Sequence, residues 1–230
     1  MSHDGITRHL KGMALRVAAL WRYPVKSLAG ERLSTAVIRP DGIAGDRMVR
    51  VRGPEGVRTS RRQYRLLGLR GTLDADAPRI DGHPWDSPDA LAMVKAAAGP
   101  DAWLEAYDGL DRFDILPLLI ATDGAVAAFG RDVRRLRPNI VIGGVDGLEE
   151  RDWPGAELHI GEVIIRLDGL RGRCHMTTID PDTLEVNPAV LRDIVRRFDN
   201  KLALDAEVVR GGTIHAGDAV TIVMNVESHA

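Results

Sequence analysis

A chain of 230 residues, 44% hydrophobic and 28% charged, is composed like a folded globular protein and not like a disordered or membrane-embedded one. A formal net charge of −2 argues against a nucleic-acid partner recognised through global positive charge. The single cysteine excludes an internal disulfide, an iron–sulfur cluster and a zinc site built on several thiolates.

The opening "MSHDGITRHLKGM" has no apolar central region, so residues 1–13 are expected to be a flexible segment and the protein cytoplasmic. The longest apolar run, "ILPLLIA" at 115–121, is too short to cross a bilayer, and no membrane partner is expected. "MALRVAALWRYPV" and "ERLSTAVIRPDG" alternate as strands, and "RMVRVRGPEGVRTS" forms a hairpin turning at Gly53–Gly56. The stretch 68–90 is rich in Asp, Pro and Gly, which places a lobe boundary near it. "DALAMVKAAAG" follows as a helix capped by Ser87 or Asp89 and stopped by Gly99.

"ILPLLIATDGAVAAFGRDVRRL" reads as a buried run entering a helix near Thr122 or Asp123, with Arg134 and Arg135 on the helix's solvated face. "RPNIVIGG" is a short buried strand, and "AELHIGEVIIRLDG" a hairpin about Gly161. Trp153 is assigned to packing. "NPAVLRDIVRRFDN" is an amphipathic helix with Val190, Leu191, Ile194, Val195 and Phe198 on one stripe. "LALDAEVVRGGTIHAGDAVTIVM" gives two strands about a Gly-Gly turn. Strands outnumber helices, so the fold class is mainly β with a few helices (α+β), arranged as a decorated barrel.

Three stretches carry chemistry. Cys174 lies in "RGRCHMTTIDPDT", flanked by Arg171, Arg173 and His175; sulfur is a soft metal ligand, and nearby cations stabilise a thiolate. A buried inert thiol is the alternative. In "YPVKS" and "GIAGDR", Lys26, Ser27 and Arg47 offer a cation, a hydroxyl and a guanidinium to one anion, although the glycine spacing of a P-loop is missing. In "RPNIVIGG", Arg137 and Asn139 stand at the mouth of a buried strand. Lys11, Lys26, Lys95 and Lys201 are the only lysines, and the other basic residues are arginines. Position decides whether these reflect composition alone or hold an anion. His83, His159 and His215 have no metal-ligand spacing, and neither a nucleophile elbow nor a dinucleotide fingerprint is present.

In their order along the chain, "YPVKS", "GIAGDR", "RPNIVIGG", "LHIGEV", "RCHMTTIDPDT" and "GTIHAGDAV" resemble the MOSC-domain family, in the branch that holds the amidoxime-reducing components. The resemblance runs from about Leu15 to Val223. It implies a β-rich lobe over 14–100 and a MOSC β-barrel over 101–230. It further implies a molybdenum cofactor, with no pyridoxal phosphate. Cys174 would ligate the metal, and Lys26, Ser27, Arg47, Thr122, Arg137, Asn139 and Arg173 would surround the pterin and its phosphate. Asp205 or His175 would handle protons. The implied reaction reduces small N-hydroxylated or N-oxide compounds, with electrons from a separate donor protein of ferredoxin, flavin or haem type. The alternative is a sulfur or cofactor carrier using Cys174 as persulfide or ligand. Gly124 and Ala125 depart from the pattern, since relatives often offer a hydroxyl there.

Overall fold

Alternating apolar residues make Arg16–Arg22 the first strand, β1, of a computed structural model that describes residues 14–224. Residues 1–13, expected to be flexible, lie outside the described residues. Strands β2 (Glu31–Leu33), β3 (Thr35–Arg39) and β4 (Gly42–Ile43) follow, then β5 (Val49–Gly53) and β6 (Gly56–Arg58), which form the expected hairpin with Gly53 opposite Gly56. The turn-rich stretch is itself folded: β7 (Gly71–Asp74), β8 (Ala77–Ile80) and β9 (His83–Pro84) make a three-stranded antiparallel sheet.

Helix α1 (Pro88–Ala98) is capped by Ser87, whose hydroxyl accepts the Ala90 N–H at 3.2 Å, and it ends at Gly99 with φ 111°. Its buried face, Ala90, Val94 and Ala98, packs on Val25, Leu28, Val49, Leu66 and Ile80 as one core. Strand β10 (Trp103–Ala106) pairs with β5 beside it.

The remaining chain supplies β11 (Leu118–Thr122), α2 (Asp123–Phe129), β12 (Ile140–Gly143), β13 (Glu157–Ile160), β14 (Val163–Gly172), α3 (Ala189–Phe198), β15 (Lys201–Arg210), β16 (Gly212–His215) and β17 (Thr221–Val223). Eight strands form one sheet in the order β17-β13-β14-β15-β11-β12-β1-β2. Right-handed twist curls this sheet until the segment before β17 reaches β1. There Val17 N–H donates to Asp218 O and Val220 N–H to Leu15 O, both at 2.9 Å. The result is barrel-like without being closed strand to strand. Its interior holds Leu20, Ile120, Ile140, Leu158, Ile165 and Leu204, with Trp153 in the same core. Among the described residues no helix is long and apolar enough to cross a membrane.

Three local expectations change. Helix α2 stops at Phe129, because Gly130 takes the left-handed conformation (φ 68°) and its N–H closes on Val126 O at 3.0 Å. Arg134 and Arg135 therefore sit on a separate 3₁₀ turn, Val133–Arg135, and not on a helix face. Strands β15 and β16 flank Gly211 without pairing with each other; β16 pairs with β3. The α3 stripe is only partly covered, since Val190, Ile194 and Phe198 are buried while Val195 stays half-exposed.

The junction of β11 and α2 is braced by a buried carboxylate. Thr122 caps α2 by accepting the Ala125 N–H at 3.1 Å, and its hydroxyl donates to Glu150 at 2.8 Å. Glu150 also accepts the Ala203 N–H at 3.0 Å, and burial pushes its carboxyl upward in pKa. Next to this brace, a Cβ on Gly124 would lie 2.4 Å from Val145 O and 2.5 Å from Gly147 O. Backbone leaves no room there for a larger side chain. Gly124→Ala is expected to destabilise the protein by about 1–3 kcal/mol, seen as a lower denaturant midpoint with unchanged slope; an unchanged midpoint contradicts the packing described.

Candidate functional site

Loops from both cores converge beside Leu119 of β11. The "YPVKS" loop leaves β1, the "GIAGDR" loop joins β4 to β5, Arg137 and Asn139 precede β12, and Arg171–Cys174 close β14. Three non-glycine residues in these loops, Ser27 (φ 77°), Arg47 (φ 54°) and Arg137 (φ 57°), hold left-handed backbone. Such conformations persist only where the surroundings enforce them.

The enforcement comes from a buried carboxylate–amide brace. Asp46 accepts the Tyr23 N–H at 2.6 Å and the Asn139 side-chain amide at 3.1 Å, and it pairs with Arg47. Asn139 accepts the Leu119 N–H at 3.1 Å, and Tyr23 donates its hydroxyl to Pro138 O at 3.1 Å. Burial pushes the Tyr23 hydroxyl up to about 12, so it remains a donor. Asn139 thus spends its amide on holding loops together, although it also lines the cleft they form.

Cys174 is half-buried and opens into that cleft together with Arg47, Arg61, Arg135, Arg137, Arg171 and Arg173. Their charges are unevenly compensated. Arg135 pairs with Asp180 at 2.7 Å, Arg61 with Asp114 at 3.0 Å, and Arg171 with Asp205. The Arg137 guanidinium has no hydrogen bond or ion pair among the described residues; it lies over the Tyr23 ring at 4.2 Å. The Arg173 guanidinium donates only to Leu136 O at 2.7 Å, and its Nε is buried without a partner, as is Arg171 Nε. Burial, reinforced by Arg171, pulls Arg173 down to about 10, and burial likewise lowers Arg137. Both are half-buried cations at the cleft with no ion-pair partner among the described residues, the condition that an anion relieves.

The enclosed part of the cleft is small, about 110 Å³. Behind Arg135, Arg137 and Met176, which line both, lies a hollow of about 390 Å³ walled by Trp21 and Tyr23 and edged by Arg32 and Arg70. The Trp21 indole N–H there is buried without an acceptor.

Of the residues singled out from sequence, Arg47, Arg137, Asn139, Arg173 and Cys174 converge on the cleft. Lys26 stands at its edge, bonded to Asp114 at 3.1 Å and to Arg112 O at 2.6 Å. Asp205 sits behind Arg171, and burial raises its carboxyl pKa against the opposing pull of Arg171. Ser27 is buried and its hydroxyl forms no hydrogen bond; it is not among the cleft's walls. Thr122 is committed to the α2 cap and Glu150, away from the cleft. His175 faces the opposite side of its 3₁₀ turn, into a surface groove. Sequence reasoning missed Arg61 and Asp114 and placed Arg135 on a solvated face; "RTSRRQ" carries no local signal for such a role.

Uncompensated cations imply an anion-dependent stability. Phosphate is expected to stabilise the protein more than chloride at equal ionic strength, by about 2.7 kcal/mol at a hundredfold excess over its dissociation constant, read as a higher melting temperature. Arg137→Ala combined with Arg173→Ala is expected to remove that difference. Equal effects of the two anions on the unmodified protein contradict an anion site.

Comparison with known proteins identifies the family. The MOSC domain matches residues 124–221, and the MOSC N-terminal beta barrel domain matches residues 14–112. The mitochondrial amidoxime-reducing component 1 of Homo sapiens is 27% identical over an alignment covering 73% of this chain and 67% of that protein. Component 2 of Macaca fascicularis is 40% identical over 76 residues, 30% of this chain and 22% of that protein. The crystal structure of the YuaD protein from Bacillus subtilis superposes with a TM-score of 0.52 at 13% identity, covering 94% of this chain and 98% of that one, a likeness of fold. With two consecutive domain matches spanning most of its length, the chain belongs to the MOSC-domain family.

Proposed function

We propose that this protein holds a molybdenum cofactor against Cys174 and reduces N-hydroxylated or N-oxide compounds, with electrons from a separate donor protein. The observation that carries the reading is the half-buried thiol opening among guanidinium groups of which Arg137 and Arg173 have no counter-charge. The relatives' names, amidoxime-reducing components, support the substrate class.

The chemistry of the donors fits the group. A thiolate is a soft ligand suited to the metal. The unpartnered N–H groups of Arg137, Arg171 and Arg173 suit a phosphate, and the Trp21 and Tyr23 walls with an orphan indole N–H suit a flat heterocycle. When bound, the cofactor supplies the two-electron chemistry of removing oxygen from nitrogen. The protein's part is positioning and electrostatics. Arg47, Arg137 and Arg173 hold the anion, the Asp46–Asn139–Tyr23 brace holds those arginines, and Phe113, Leu119 and Met176 narrow the access of water. Asp205, whose carboxyl burial pushes upward in pKa against the pull of Arg171, exchanges a proton behind Arg171.

The protein made in cells that synthesise the cofactor is expected to carry stoichiometric molybdenum and to reduce benzamidoxime with reduced methyl viologen. Cys174→Ser is expected to lose both, and Arg173→Ala to retain about tenfold less metal. Metal-free protein bearing cyanide-releasable sulfur on Cys174 contradicts the reading and favours a sulfur carrier.

Asp205 yields a pH signature. Burial pushes its carboxyl upward in pKa, so a rate that uses its proton should fall as pH rises through the titration of that carboxyl. Asp205→Asn is expected to erase this limb and lower kcat by about 10²-fold or more; an unchanged profile removes Asp205 from proton handling.

A further inference from the structure

The turn His175–Thr178 is a wall with two faces. Cys174, Met176 and Thr177 line the cleft, whereas His175 and Thr178 line a groove on the outer surface. The groove is floored by apolar side chains that no part of the described chain covers. Val186 and Val195 are each 52% exposed, and Leu191 lies between them on the side of the α3 stripe that the core leaves open. Exposed branched side chains grouped in one hollow of about 480 Å³ mark an interaction surface more than a random surface pattern does.

The rim has one sign of charge. Arg192 and Arg196 border the groove, and no carboxylate lines it. The Arg192 side chain forms no ion pair or hydrogen bond among the described residues, and the Arg196 side chain is 78% exposed and tethered only to Asp193 at 2.8 Å. Asp193 divides itself between Arg196 and Arg197, at 2.8 and 2.9 Å. An apolar floor with a basic rim complements an acidic partner with an apolar centre.

We infer that this groove docks a small redox protein whose own cofactor opens onto an acidic face, and that electrons enter across the His175–Thr178 turn. The inference rests on the proposed reductase reading. In that reaction the N–O bond breaks, the oxygen leaves as water with two protons, the substrate nitrogen is reduced, and the donor is oxidised by two electrons per turnover.

The test titrates the full-length, cofactor-loaded protein with three acidic probes: a [2Fe–2S] ferredoxin, a flavodoxin and a soluble b-type cytochrome. Binding is read by calorimetry, separately from turnover. At least one probe is expected to bind, more weakly as salt is raised. Arg192→Glu with Arg196→Glu, and separately Val195→Asp, are expected to lower that affinity about tenfold or more, with melting temperature and viologen-driven turnover unchanged. Failure of all three probes to bind overturns the inference, as does binding insensitive to both variants, or a parallel fall in viologen-driven turnover. Variant-sensitive binding by a protein that reduces nothing would support the surface while removing the reductase reading.

Discussion

Two guanidinium groups without counter-charge, Arg137 and Arg173, are the constraint around which the structure is arranged. Cations crowded together without partners repel one another unless an anion is supplied. Here left-handed backbone at Arg47 and Arg137 and the Asp46–Asn139 brace hold the loops inward. The cleft thus sets unpaired positive charge beside the half-buried thiol of Cys174.

The brace also explains why two cores are needed. Asp46 lies on the loop before β5, whose Val49 and Val51 pack in the core beneath α1, while Asn139 precedes β12 in the core of the large sheet. The hydrogen bond between them ties one core to the other at the cleft. Val25 bridges to Val49 in parallel register beside it, fixing the "YPVKS" loop against the same joint. The cleft is therefore a property of how the two cores meet and belongs to neither alone.

Much of this was legible in the sequence. Period-two alternation and glycine turns located the strands, Ser87 and Gly99 bounded α1, and the "RPNIVIGG" and "RCHMTTIDPDT" motifs pointed to residues that converge. What stayed hidden depends on three-dimensional direction. Residues in a tight 3₁₀ turn diverge sharply, so Cys174 and His175, adjacent in sequence, serve opposite faces. Thr122 looked like a ligand-binding hydroxyl, yet the cap of α2 and the buried Glu150 both claim it. Arg61 and Arg135 reach the thiol from distant chain segments, and no local pattern encodes that. The α3 stripe was read correctly as apolar; only the packing revealed that its Leu191–Val195 side is left open beside the active turn.

Because Cys174 is the only thiol, its alkylation reports on this cleft alone. The most direct measurement compares iodoacetate with iodoacetamide on the folded, cofactor-free protein, each normalised to free cysteine. A thiol open to uncompensated arginines favours the anionic reagent by about tenfold or more, and the preference should vanish with phosphate or in the protein carrying both Arg137→Ala and Arg173→Ala. A thiol that reacts only after unfolding, or that shows no preference for the anion, would contradict the account.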